Sequence, residues 1–177
     1  MSTLIVDKVQ TDTIEDEAGN FEHARLVQVV NTTTGAVATG TTVLPGEGDN
    51  TIPQNDEGDQ YMSLAITPTN TNNSLKIEVV ANFSHATALS AFTAALFKDS
   101  DAGAIAAAQD WESAAGTILK NIVFTHFMTG SLGTSEITFK VRCGVEDSGT
   151  TTFNGQGGTR QLGGVVASSI TISEIRV

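Results

Sequence analysis

The groups best suited to chemistry in this chain lie in three acidic stretches: PGEGDN at 45–50, NDEGDQ at 55–60 and KDSDAG at 98–103. Carboxylates and carbonyls on loops are what hard cations such as calcium take as ligands. None of the three follows the D-x-D-x-D-G order with its closing Glu, and Asp and Asn serve turns for backbone reasons alone. They are therefore read as solvated turns, with a bound cation as the alternative. His23, His85 and His126 lie far apart, with no HxH or HExxH spacing, so a metal site would have to be assembled by the fold. A three-fold axis would do this differently, by gathering three copies of one His.

Nucleophilic and cofactor motifs fare no better. Gly130-Ser131-Leu132-Gly133 lacks the spacing of a nucleophile elbow. Gly155, Gly157 and Gly158 give G-x-G-G-T-R, without the third glycine or the following helix of a dinucleotide loop. Cys143 is the only cysteine, which excludes an internal disulfide and a Cys-based zinc site; it is expected to be a small buried apolar group. Trp111 and Tyr61 are likewise single, too few for a carbohydrate cleft lined with aromatic faces, and Trp111 is assigned to core filling or subunit packing. Paired carboxylates in an aromatic groove, the need of a polysaccharide depolymerase, are absent from the pattern. The sequence thus predicts no catalytic residue, no metal ligand and no cofactor, and a protein that is not an enzyme.

The elements that would position such groups are strands. With 177 residues the chain is long enough for one domain with a true core. Only 16% of residues are charged, so Thr, Ser, Asn and Gly supply the polarity, as suits pleated strands and their turns. A net charge of -11 opposes contact with phosphate backbones and excludes nucleic acid as a partner. The start, MSTLIVDKVQTDTIEDE, fits neither a signal peptide nor a membrane span, which predicts a soluble product of the cytoplasm with no membrane insertion.

Residues 1–24 surround Leu4, Ile5 and Val6 with six acids, and are read as an extended arm that pairs with another chain or a mounting surface. Residues 25–177 form the domain. Ile137, Phe139, Val141, Cys143 and Val145 alternate with polar or small residues, as do Leu75, Ile77, Val79, Ala81 and Phe83, giving one buried and one wet face each. Met62, Leu64 and Ile66 form a shorter copy ended by Pro68, and Phe92, Ala94 and Leu96 continue the pattern. AIAAAQDWESAAG (104–116) is read as strand then loop, despite its alanines. Residues 118–127 read as a strand buried on much of both faces. Ile170 and Ile172 share a face, whereas Ile175 and Val177 are out of phase, which predicts a bulge near Ser173 or Glu174. Eight to ten short strands result, favouring an all-β, antiparallel sandwich of jelly-roll type. Gly155, Gly157, Gly158, Gly163 and Gly164 weaken an isolated strand, and a subunit interface is the preferred explanation for them.

Four segments resemble the C-terminal β-sandwich domain of bacteriophage tail-fibre and head-fibre type virion proteins: 51–80, 93–107, 137–144 and 150–175. The leader STLIVDKVQTDTIEDEAGN is similar to the attachment or trimer-forming segment with which such proteins begin. The resemblance implies a homotrimer whose arm docks on capsid or tail proteins of the virion, and it carries over no catalytic residue. Without a collagen-like or coiled shaft, the chain fits a short fibre, spike or capsid decoration protein better than a long distal fibre. The alternative is a host-attachment module that binds a bacterial surface receptor or glycan.

Overall fold

Strict alternation of apolar and polar side chains forces strands to lie with one face on a core, and two such sheets satisfy each other. The computed structural model describes residues 25–46, 48–86, 90–112 and 117–176, and within them it is all-β. The predicted arm and His23 lie outside the described residues.

The long strands are β1 (Arg25–Thr34), then β3 (Asp59–Ile66) after the three-residue β2 (Ala38–Gly40), β4 (Ser74–His85), β5 (Ala91–Lys98), β6 (Ala106–Trp111), β7 (Lys120–Thr129) and β8 (Ile137–Val145). Short pieces follow, β9 (Thr151–Phe153), β10 (Gly155–Gln156) and β11 (Thr159–Arg160), before the final β12 (Ser168–Arg176). In the larger sheet β1 pairs β12, β12 pairs β4, and β4 pairs β7, all antiparallel. β9 continues the β12 side of β4 at Phe83–His85 and carries β2. The other sheet runs β3-β8-β5-β6, again antiparallel. Apart from β5 and β6, neighbours in the smaller sheet, successive long strands lie in opposite sheets, the strand order of a jelly roll.

The core between the sheets holds the expected alternating sets, including Leu75, Ile77, Val79, Phe83, Phe139, Val141 and Cys143, all fully buried. Met62 and Ile66 join them after a register shift at Tyr61, whose ring stacks on Phe153 at 4.6 Å. Residues 106–111 of the alanine-rich stretch are a strand, as expected: pairing with β5 replaces the packed face that a short helix would lack.

Two expectations fail. β7 is not buried on both faces: Ile122, Phe124, His126 and Met128 face the sandwich, while Val123, Thr125 and Phe127 face outward and are exposed. It lies at the sheet's edge, where none of the described residues covers its outer side. The bulge is not in β12 either. Register against β4 runs unbroken from Ser169 to Ile175, and the extra residue, Val27, sits opposite in β1. Consequently Glu174 points inward, fully buried, and Ile175 points out.

Candidate interaction surface

The groups singled out by chemistry are spread apart by this fold. Cys143 is fully buried in the core strand β8, where loss of solvent pushes its thiol up and keeps it neutral. His85 is buried at the end of β4, and His126 stands half-buried on the inner side of β7. The Gly130–Gly133 stretch is the turn after β7, with Ser131 at φ 55, and it docks on the 69–73 loop through Leu132 N–H to Thr71 O. Trp111 ends β6 and is 41% exposed, so it does not fill the core. Its carbonyl accepts a hydrogen bond from Lys120, which also pairs with Asp110 at 3.0 Å and closes the seam between β6 and β7.

Two of the three acidic stretches fall in or border a long connection, residues 41–58, that folds over the outer side of β5, and the third is the turn between β5 and β6. Several of their carboxylates shape these turns. Asp49 accepts from Thr51 N–H and Oγ1, both at 2.7 Å, which holds its carboxyl below the usual range. Glu57 accepts from Gln54 N–H, and Asp59 from Thr42 N–H and Oγ1. Asn55 ties this connection to the 98–103 turn through Ala102 O and Asp101 O, and Asp99 accepts from Thr138 N–H. Among the described residues no three of His, Cys, Asp and Glu are gathered as a metal site.

Beneath the connection lies a second small core of Leu44, Ala95 and Phe97, packed with Ala104. The outward side of β5, Ala91, Thr93, Ala95 and Phe97, is therefore buried as completely as its inward side. Arg142 fastens the cover, donating at 2.7 Å to the carbonyls of both Glu57 and Gly58. Gly144 lets it approach: a Cβ there would stand 2.9 Å from that of Leu44.

At the opposite rim Glu174 is the best-satisfied buried charge. Burial alone would raise its carboxyl, but bonds from Asn73 Nδ2, Gln28 Nε2, and Thr69 Oγ1 and N–H, at 2.5 to 2.9 Å, outweigh that and hold it below the usual carboxylate range. Gln28 also donates to Thr67 O, so the cluster closes the seam between β1 and the loop after β3. No sequence signal marks this socket except the phase break at Glu174 itself. A comparable network, Asn154 to Thr34 O and Ala36 O with Ser168 donating to Asn154 Oδ1, anchors the other end. These are structural bonds with no reactive partner.

Three glycines of the C-terminal run have local reasons within the chain. Gly157 and Gly158, at φ 57 and 75, form the two-residue tip of the β10-β11 hairpin, and a Cβ at Gly155 would meet Thr159 O at 2.5 Å. Whether copies meet there is a separate matter.

Among the described residues, the outer face of the large sheet remains open to solvent. Across it run rows of Val29–Ser173–Lys76–Phe127, Asn31–Thr171–Glu78–Thr125 and Thr33–Ser169–Val80–Val123. Its middle is neutral or ion-paired, Lys76 meeting Glu78 at 2.8 Å, and its most exposed apolar side chains, Leu26, Val29, Val123 and Phe127, stand on the two edge strands. Such a surface offers contact area but no converging reactive groups.

Neither a family model nor a curated protein matches the chain. Solved structures give distant likenesses. Dimeric latent PorU from Porphyromonas gingivalis is 9% identical, over 92% of this chain and 14% of that one, with a TM-score of 0.39. The infectious bursal disease virus VP2 subviral particle is 14% identical, over 85% and 37%, also at 0.39. Tailspike protein 4 of bacteriophage CBA120, in its enzymatically active domain, is 12% identical, over 71% and 18%, at 0.24. The chain spans well under half the length of each. Viral capsid and phage tailspike proteins are thus among the weak neighbours, with scores too low to assign a fold or a function.

Proposed function

We propose that this chain is a non-enzymatic structural protein of a bacteriophage particle, a short fibre, spike or decoration protein. It docks by residues 1–24 and presents its jelly-roll domain outward as a homotrimer. The observation that carries this reading is where the four resembling segments fall. They supply the cover with β3 and most of β4, then β5 with the start of β6, then β8, then β9 to β12, so the resemblance runs through the frame of the domain and is not confined to its turns. The jelly roll itself is shared by viral capsid proteins and lectins, so fold alone does not choose between them. Carboxylates committed to turns and seams favour a structural over a catalytic role.

The purified full chain is expected to have three times the 18.4 kDa subunit mass in solution, and antibodies to it are expected to label intact particles. A stable monomer, or particles lacking the protein, would overturn the proposal. Incubation with host polysaccharide should release no product.

Exposure of Trp111 beside Asp110 and Lys120 favours a second reading, attachment to a host receptor or glycan. Purified protein would then compete with the particle for adsorption, and loss of that competition in Trp111→Ala would place the contact. Absence of any competition rejects it.

A further inference from the structure

We infer that the subunits join through the two long edges of the large sheet, β7 of one copy meeting β1 of the next, head to tail. This rests on the trimer reading and names its interface.

An edge strand presents unpaired N–H and C=O groups, and proteins that stay monomeric blunt such edges with charge, proline, bulges or shortness. The small sheet does so. β3 is broken by the register shift at Tyr61, and β6 is six residues long and ends on Asp110 and Trp111. The large sheet does so less. β7 runs ten residues without a bulge or a proline and, among the described residues, has β4 as its only hydrogen-bonded partner. β1 carries its bulge at Val27, near one end, then runs in regular register from Gln28 to Thr34, and among the described residues it pairs with β12 alone. No Asp, Glu, Lys or Arg occurs from Leu26 to Gly46 or from Asn121 to Ser135, in a chain with 20 acidic and 9 basic residues. Identical copies of net charge -11 repel, so they associate through surface that carries no charge.

Both edges also carry the exposed apolar side chains such a contact needs, Leu26 (58%) and Val29 (49%) on β1 with Val123 (58%) and Phe127 (55%) on β7. Strand direction selects the geometry. β1, β12, β4 and β7 alternate in sense, so β1 and β7 run oppositely. Rotation about an axis along the strands preserves each sense, and β7 then meets the next copy's β1 antiparallel, the commoner pairing. Because the two surfaces differ, the contact is heterologous and closes as a ring.

The native cysteine is buried, so introduced thiols report alone. Full-length Val29→Cys and Phe127→Cys chains, refolded together and treated with a short bismaleimide, should cross-link to each other, while Phe127→Cys alone should give no cross-linked dimer. Efficient self-linking of Phe127→Cys would mean two-fold β7 pairing and overturn the head-to-tail contact. A trimeric mass without cross-links would place the interface elsewhere and sink this inference while leaving the trimer intact; a monomeric mass removes both. Val123→Lys should convert trimer to folded monomer, judged by mass and circular dichroism, whereas Ser63→Lys on exposed β3 should not. Trimers that survive Val123→Lys count against the interface.

Discussion

The two sheets of this sandwich have the same alternating sequence and opposite exteriors. Residues 41–58 cover the outer side of β5, with Leu44 over Phe97, and the outer face of the β1-β12-β4-β7 sheet has no such cover among the described residues, carrying Ser, Thr and Asn together with the Lys76–Glu78 pair and several apolar side chains. The difference shows that alternation specifies which residues point inward, not what the other face meets. One face is finished in part by its own chain, and the other has no such cover among the described residues.

Substitutions that test the roof should have the largest effects. Phe97→Ala empties a fully enclosed site and should lower unfolding free energy by about 3–5 kcal/mol in a denaturant titration. A loss near that of a surface mutation would mean the cover contributes little. Arg142→Met keeps the stem but removes donors from two loop carbonyls, and should reduce stability by about 1.5–3 kcal/mol and increase proteolysis within 41–58.

Glu174→Gln probes the rim of the bare sheet. It replaces an acceptor by an amide that meets Asn73, Gln28 and Thr69 donors, and about 1–3 kcal/mol should be lost. Because the native carboxyl lies below its unfolded value, its contribution is fully present above the ordinary carboxylate pKa and disappears as pH falls through the lowered native one. The wild-type stability curve should therefore fall over that acidic window more steeply than that of Glu174→Gln; parallel curves would show that the socket does not prefer the charged form. Smallest of all, Lys76→Met on the bare face should change stability by less than about 1 kcal/mol, since the Lys76–Glu78 pair is solvated.

Much of the frame was legible in the residues. The inward sets of β4 and β8, the end of β3 before Pro68, the strand at 106–111 and the burial of Cys143 follow from period and propensity. The misreadings share a cause. β7 reads as doubly buried because Ile122, Val123, Phe124 and Phe127 crowd together, and sequence does not distinguish a central strand from an edge. β12 reads as bulged because Ile175 and Val177 are out of phase with Ile170 and Ile172, and only the donors converging from residues 28, 69 and 73 make Glu174 tolerable inside.

By itself, then, the sequence determined an antiparallel all-β sandwich and its principal core residues, because a two-residue period and side-chain polarity are local properties. Only the tertiary structure decided the interlocked strand order, the roof over one sheet and the exposed edges of the other. Those depend on which distant segments meet, such as residue 44 over 97 and residue 28 beside 174, and no local pattern encodes that.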